Sequence, residues 1–239
     1  MPRFFIDYDP QDEIIVTGDD ARHIGRSLRM KTGDKLTFCR TGTDYHCTIT
    51  AMTDSTVTCS VDSSEPSVCE PDVRLTIYQA FPKQDKFEHI IQKTVELGAC
   101  RIVPFISKRC VSRPDSRDFA KKLERFQRIA TEAAKQSGRG MIPEITHIMS
   151  LDEALADMQS SALKLICYEN GGEKLSSLDL PKYDSISVMI GSEGGFERGE
   201  VDKAIAAGAV PIWLGERILR CETCPVAVTA IIMNLTGNM

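Results

Sequence analysis

The stretch SISVMIGSEGGFERGEVDKAIAAGAVPIWL, residues 185–214, carries the alternation that decides the fold. Its first six residues predict a buried strand, GEVDKAIAAG predicts a helix, and VPIWL predicts a second strand. A strand, a helix and a strand in this order predict two parallel strands, because a helical crossover brings the chain back in the same direction. We therefore expect a mostly parallel sheet covered by helices, with a ligand crevice at the carboxyl ends of its strands.

The same alternation extends toward the N-terminus as far as residue 73. Strands are predicted at 74–81, 101–107 and 163–169, and helices at 85–98 and 118–138. In the first of these helices one apolar face is followed by Gly98, which suits the position just beyond a helix end. Ser150 and Glu153 predict a capping box at the start of a shorter helix. A final apolar helix closes the chain.

Residues 1–62 read differently, as short strands separated by turn residues and interrupted by one helix in GDDARHIGRSLRM. This pattern predicts a small β-barrel that carries a basic helix. The segment 62–72, DSSEPSVCEPD, has no apolar period and is predicted to be a linker. The sequence therefore predicts an α/β protein with two domains, over residues 1–68 and 73–239.

The composition, 42% hydrophobic and 26% charged residues over 239 positions, is that of a globular protein with a real core. No apolar run is long enough to span a bilayer and the N-terminal residues lack a secretory pattern, so we expect a cytoplasmic protein without a membrane partner. Nine scattered cysteines do not resemble a disulfide framework. The four histidines are too dispersed to predict a metal site.

The net charge is −5, but positive charge is concentrated in two segments. Residues 20–40 hold six basic against two acidic side chains, and residues 107–140 hold ten against four. Two basic segments on an acidic chain indicate a polyanionic partner at a defined surface. The alternative is that both segments are ordinary solvated helix faces.

Two loops in the second domain could carry chemistry. GSEGG, residues 191–195, follows a buried strand, and its glycines allow a ligand to approach the backbone. It matches neither common phosphate-binding pattern and contains Glu193, which favours an adenosine ligand with a positive centre. After the next strand, Gly215 precedes Glu216, Arg217 and Arg220, where a second wall of the same crevice would form. A turn without a ligand, and an Arg220–Glu222 surface pair, are the alternatives.

These motifs resemble one family. IGSEGGF, LG-x-RILR-x-ET, KFEHIIQKTVELG, KLERFQRIATEAAKQSGR and ARHIGRSLRMKTGD occur here in the order found in ribosomal RNA small subunit methyltransferases of the E type, which are uracil-N3 methyltransferases. The resemblance implies an N-terminal PUA-like RNA-binding barrel and a C-terminal SPOUT domain with a trefoil knot. It also implies S-adenosylmethionine as cofactor, a homodimer, and a uridine of the small-subunit decoding region as target, modified on the assembled particle.

The resemblance further implies which residues act. Arg220 is expected to stabilise negative charge on the uracil, with Glu222 or Glu193 as proton acceptors. The residues expected to hold the cofactor lie at three strand ends: Tyr168, Glu169, Ile190, Gly191, Ser192, Glu193, Gly194, Gly195, Leu214, Gly215, Ile218, Leu219 and Arg220. The cations expected to contact RNA come from both domains: Arg3, Arg22, Arg26, Arg29, Lys31, Lys83, Lys86, Arg109 and Arg139.

Two other functions are compatible with this sequence. An RNA-binding assembly factor could keep this fold without catalysis, and it would not bind the cofactor. Cys221 and Cys224 form a C-x-x-C, which is typical of thiol redox proteins. Their place near a helix N-terminus predicts a stabilised thiolate. In the resembling family these two positions vary, whereas Arg220, Glu222 and Thr223 match, so we expect the C-x-x-C to be incidental.

Overall fold

The computed structural model describes residues 1–83 and 85–239, which form two compact units. The first unit contains Met1–Glu70 together with Ala134–Met141, and the second contains Pro71–Ala133 and Ile142–Met239. The short segment 134–141 therefore groups with the N-terminal residues, although the sequence pattern places it in the second domain. No helix within the described residues is long and apolar enough to cross a membrane.

The first unit contains β1 (Arg3–Phe5), β2 (Glu13–Thr17), α1 (Gly18–Arg22), β3 (Lys35–Arg40), β4 (Thr43–Met52) and β5 (Thr56–Pro66). Its five strands form one sheet with the order β1-β3-β4-β5-β2. Buried and exposed side chains alternate along β2, whereas β3 buries four consecutive residues. The inward residues, among them Phe4, Ile14, Leu36 and Phe38, form one core.

Two details of this unit differ from the sequence prediction. Strand β5 continues through Pro66, because residues 63–66 pair with residues 43–46 of β4, so the first half of the predicted linker is a strand. The predicted helix is short: α1 ends at Arg22 and is followed by a π-helical turn over His23–Ser27. Arg29 lies beyond it with a φ of 55°, and therefore does not belong to a helix face.

The second unit is a seven-stranded sheet in which every strand pair between described residues is parallel. This arrangement confirms the α/β class predicted from the alternation. Its elements are β6 (Arg74–Ala80), α2 (Lys86–Glu96), β7 (Arg101–Ile106), α3 (Ser116–Ser137, of which the last four residues belong to the first unit), β8 (Glu144–Ile145), β9 (Met149–Ser150), α4 (Leu151–Asp157), β10 (Leu163–Cys167), β11 (Ser185–Ile190), α5 (Arg198–Ala206), β12 (Val210–Ile212) and α6 (Thr223–Leu235). The strand order is β12-β10-β11-β6-β7-β8, with β9 beside β7.

Strand β11 lies at the centre of this sheet, between β10 and β6, and all six of its residues are buried. Burial on both faces explains why SISVMI is nearly continuous in apolar and small residues instead of alternating.

The predicted capping box and the predicted helix end at Gly98 are both present. The Ser150 hydroxyl accepts the Glu153 N–H at 3.3 Å while the Glu153 carboxylate accepts the Ser150 N–H at 2.7 Å. Gly98 ends α2 with a φ of 106°.

Candidate active site

A cavity of about 450 Å³ opens at the carboxyl ends of β10, β11 and β12, within the second unit. This is the edge at which parallel sheets bind ligands, because the loops that leave neighbouring strands meet there. Three segments form most of the wall: residues 167–169 after β10, residues 190–196 after β11, and residues 212–221 after β12. All thirteen residues predicted to hold a cofactor line this one cavity.

The glycine loop turns tightly against its neighbours. The Gly195 N–H donates to the Ser192 carbonyl at 2.9 Å, and Gly195 has a φ of 66°, which side-chain-bearing residues rarely adopt. A Cβ on Gly191 would lie 3.0 Å from the Gly195 backbone, and one on Gly195 would lie 2.8 Å from the Glu169 carboxylate. Two of the three glycines are therefore required by the packing and shape of the loop itself.

Arg109 supports the glycine loop from outside. Its guanidinium donates to the Gly194 carbonyl at 2.8 Å, so this residue connects the loop after β7 to the cavity wall. The Arg109 side chain is otherwise exposed, so an RNA contact by this residue stays a prediction. The sequence did not predict the contact between Arg109 and Gly194, since these two residues are 85 positions apart.

One polar atom in the wall lacks a partner. The Ser192 residue is 5% exposed, and its hydroxyl has no hydrogen-bond partner among the described residues. A buried hydroxyl without a partner is costly, which suggests that something else satisfies it when the cavity is filled. Apolar side chains from Ile190, Leu214 and Leu219 surround the same space. The cavity thus offers an apolar slot with a few polar groups, as small-molecule sites commonly do.

Lys86 lies in this cavity, in a position that the sequence prediction missed. Its ammonium is 3.3 Å from the Glu193 carboxylate and 3.1 Å from the Glu222 carboxylate. The Lys86 side chain is paired but 26% exposed, so an RNA contact by this residue stays a prediction. The only sequence signal was its place at the N-terminal end of α2, which alone does not predict a site.

The ionisation of this group follows from its contacts. The hydrogen bond to Glu222 raises the pKa of Lys86. Burial acts to raise the pKa of Glu193, but hydrogen bonds from the Lys83 N–H and from Lys86 outweigh it and hold that pKa below its usual value. Burial likewise opposes ionisation of Glu222, while hydrogen bonds from Cys221 and Lys86 lower its pKa overall. All three groups are therefore charged at neutral pH.

Arg220 is exposed and lines the cavity, and its carbonyl accepts the N–H groups of Thr223 and Cys224 at 2.9 Å each. The Arg220–Glu222 pair that the sequence left open is not among the ion pairs of the described residues, because Glu222 pairs with Lys86. Ile218 is 86% exposed, so its side chain covers little of a ligand. The expected contact through its backbone stays a prediction.

The thiol prediction for the C-x-x-C is wrong for Cys221. Burial and a hydrogen bond to Glu222 raise the pKa of the Cys221 thiol to about 12, so it is protonated at neutral pH. The helix α6 begins only at Thr223, and the Cys221 thiol donates to the Glu222 carboxylate at 3.2 Å.

Within the described residues, no three His, Cys, Asp or Glu side chains are grouped to hold a metal ion.

Two of the predicted RNA contacts are also corrected. Arg139 is 2% exposed, and its guanidinium donates to both carboxylate oxygens of Glu70, at 3.2 and 2.7 Å. Arg3 makes a similar forked contact with Asp44, at 2.7 Å to each oxygen. Both arginines hold the first unit together and are closed to a phosphate. The exposed cations of the prediction are Arg22, Arg26, Arg29, Lys31, Lys83 and Arg109.

Comparison with known proteins agrees with this geometry. A family model described as an RNA methyltransferase domain matches residues 69–233, and one described as an RNA methyltransferase PUA domain matches residues 16–62. The ribosomal RNA small subunit methyltransferase E of Bacillus subtilis is 34% identical, over 97% of this chain and 96% of its own. The corresponding protein of Mesomycoplasma hyopneumoniae is 30% identical, over 95% and 96%.

Solved structures extend the similarity to the fold. The ribosomal RNA small subunit methyltransferase E of Neisseria gonorrhoeae, bound to S-adenosylmethionine, has a TM-score of 0.90 and 32% identity over 98% of each chain. A methyltransferase of Legionella pneumophila in complex with the same cofactor has a TM-score of 0.87 and 27% identity, over 97% of this chain and 96% of its own. The strand order, the cavity at the sheet edge and these matches together show that the chain belongs to the ribosomal RNA small subunit methyltransferase E family.

Proposed function

We propose that this protein transfers a methyl group from S-adenosylmethionine to N3 of a specific uridine in the decoding region of the small-subunit ribosomal RNA, on the assembled subunit. The observation that carries the proposal is the cavity itself, in which the loops after β10, β11 and β12 meet at the sheet edge of a chain belonging to this family. A PUA-like domain over residues 1–68 would bind the RNA, and a methyltransferase domain over residues 73–239 would bind the cofactor and catalyse the transfer.

The residues present suit this cofactor. The unpartnered Ser192 hydroxyl offers a hydrogen bond, and Ile190, Leu214 and Leu219 offer an apolar surface for an adenosine group. Carboxylates of Glu169 and Glu193 line the same space, where a positive sulfur would be favoured. When bound, S-adenosylmethionine supplies a methyl group activated by its positively charged sulfur.

The protein's part in the reaction is to bind the uracil and manage its proton. The N3 proton of uracil has a pKa roughly two units above neutrality, so stabilising the anion fully at pH 7 takes about 2.7 kcal/mol. Arg220 lies in the cavity wall and provides a cation for the uracil. Glu222 and Glu193 are carboxylates near enough to the same cavity to receive the proton. Holding the reacting groups at contact distance would supply much of the remaining acceleration.

RNA binding would rest on the exposed cations of both units. Arg22, Arg26, Arg29 and Lys31 are all exposed in the first unit, as are Lys83 and Arg109 in the second. Cations that contact phosphates release counterions, so the affinity should fall steeply as salt is added. Few aromatic residues are available for base stacking, which favours recognition of a folded RNA surface.

Assembly and topology complete the proposal. Helix α6 leaves Val226, Ala227 and Ala230 partly exposed and Ile231 39% exposed, an apolar face that a second copy would cover in a homodimer. We also infer the trefoil knot of SPOUT proteins in the segments that form the cavity. A substrate in the small ribosomal subunit implies a cytoplasmic protein.

Calorimetry with S-adenosylmethionine, followed by mass mapping of small-subunit RNA from cells that lack the protein, tests the proposal. We expect cofactor binding and loss of one methylated uridine. A protein that binds the RNA but not the cofactor would instead be the assembly factor without catalysis. Arg220→Ala should lose most of the methylation rate, whereas Arg74→Ala, a change to an exposed arginine at the amino-terminal end of β6 and outside the cavity lining, should retain it. An unchanged rate in Arg220→Ala would refute the role given to this residue.

A further inference from the structure

Lys86 connects three parts of the chain that are distant in sequence. It is the first residue of α2, whereas Glu193 lies in the loop after β11 and Glu222 immediately precedes α6. The Lys86 ammonium is within 3.3 Å of both carboxylates and 3.8 Å from the Cys221 sulfur. One cation therefore pairs with a carboxylate of the cavity wall, Glu193, and with the adjacent carboxylate of Glu222.

The three side chains are neither buried nor free in solvent. The side-chain exposures are 26% for Lys86, 26% for Glu193 and 23% for Glu222, so all three are partly open to solvent. Lys86 and Glu193 line the cavity, and Glu222 directly follows the lining residue Cys221. Each carboxylate has one further donor: the Lys83 N–H to Glu193 at 3.0 Å, and the Cys221 thiol to Glu222 at 3.2 Å. Lys86 is the donor that the two carboxylates share, so its position fixes theirs relative to each other.

We propose that Lys86 is a positioning residue of the methyl transfer, which holds Glu222 beside Glu193 so that the Glu222 carboxylate can receive the proton of uracil N3. This inference rests on the proposed function and names a residue that it does not use. The reaction exchanges the N3 proton for a methyl group, so one proton must be received for each methyl transferred. An ionised, fixed carboxylate meets that need, and Lys86 acts through it without touching the uracil.

The surrounding charges decide what removal of Lys86 would do. The charged and titratable groups that face it are Glu193 from the loop after β11, and Cys221 and Glu222 from the residues before α6. Tyr168, Glu169, Glu216, Arg217 and Arg220 and the thiols of Cys167 and Cys224 line the rest of the cavity. Without the ammonium, two carboxylates share the site, and one of them then takes up a proton at a higher pH.

Loss of the Lys86 ammonium should raise the pKa of the two carboxylates. The pKa of each carboxylate is held down in the folded protein, so the ionised form is lost only as the pH falls well into the acidic range. Lys86→Met removes the cation and keeps the apolar stem, so the acidic midpoint of kcat should move up by about one unit or more. Lys86→Arg keeps the charge and should keep the midpoint.

The experiment measures kcat against pH on small ribosomal subunits for the wild type, Lys86→Met, Lys86→Arg and Lys86→Met combined with Glu193→Gln. We expect the combined variant to return toward the wild-type midpoint, because only one carboxylate is left. Carbon NMR titration of the glutamate carboxyls, without cofactor, should show the same shifts independently of activity. Glu193→Gln alone is a second test that does not depend on the folding of Lys86→Met. It removes the neighbouring negative charge, so the pH midpoint at which Glu222 takes up a proton should fall.

The outcomes separate the two ideas. An active wild type, with a Lys86→Met variant that is slower at every pH but unshifted in both midpoints, would overturn the positioning role alone. A wild type that methylates no small-subunit uridine would overturn the proposed function and this inference with it. A Lys86→Arg variant with the same shifted midpoint as Lys86→Met would also overturn the positioning role, because either cation at this place should keep the two carboxylates ionised.

Discussion

Gly195→Ala tests whether the shape of the glycine loop is required by its backbone. Gly195 has a φ of 66°, and placing a residue with a Cβ there costs about 1–2 kcal/mol. The new Cβ would also lie 2.8 Å from the Glu169 carboxylate, the end of a flexible side chain, which can move aside at little additional cost. The expected total is therefore about 1–2 kcal/mol.

This cost can be expressed in either of two measurements. If the loop keeps its shape, the free energy of unfolding falls by that amount. If the loop relaxes in the free protein, the shape must be restored on binding, and affinity for S-adenosylmethionine falls about 5- to 30-fold. Denaturant unfolding and calorimetry on the same variant therefore give two losses whose sum should equal the strain.

Gly199→Ala is the matched control for this prediction. Gly199 lies in the first turn of α5, has no positive φ and has nothing within 4 Å of an added Cβ. An alanine there should be neutral or stabilise the helix by up to about 1 kcal/mol. A Gly195→Ala variant that matched wild type in both stability and cofactor affinity would refute the reasoning about the loop.

Three further outcomes follow from the corrected residues and the charges. Arg139→Met should lower the free energy of unfolding by about 1.5–3 kcal/mol, because the half-buried Glu70 loses its forked ion pair but keeps the N–H groups of Gly140 and Met141, and an unaltered denaturation curve would contradict this. Arg26→Ala should reduce the slope of log affinity for RNA against log salt by about one, measured by filter binding in a salt series, whereas an unchanged slope would exclude a phosphate contact. Burial opposes the ionisation of Asp157, but the hydrogen bond from Arg101 outweighs burial and lowers the pKa of this carboxyl overall. The ionised Asp157 therefore stabilises the folded protein above its unfolded pKa of about 4, and this stabilisation is lost as the pH falls through the lower folded pKa. Asp157→Asn should therefore flatten the acidic side of the stability profile in urea unfolding, and an equally steep profile would refute it.

The amino-acid sequence by itself determined the class of the fold and the place of the site. Alternating apolar segments predict the parallel sheet because the periodicity of side chains is a local property, and SISVMI is apolar enough to mark the central strand. The loops at 191–195 and 214–220 were predicted to meet because the carboxyl ends of parallel strands share one edge, and both line the cavity. The family motifs lie in these same local segments.

Only the tertiary structure decided the electrostatic roles of the cations. Lys86, Arg109 and Arg139 look alike in the sequence, as basic residues near helices. In the structure, Lys86 joins two carboxylates, Arg109 binds the glycine loop, and Arg139 is buried against Glu70. Arg109 is 85 positions from Gly194, Lys86 is 136 positions from Glu222, and Arg139 is 69 positions from Glu70. No local sequence pattern includes both partners of any of these contacts. Whether a charge faces RNA, a ligand or the core depends on which distant segments fold against it, because burial and pairing are properties of three-dimensional neighbours.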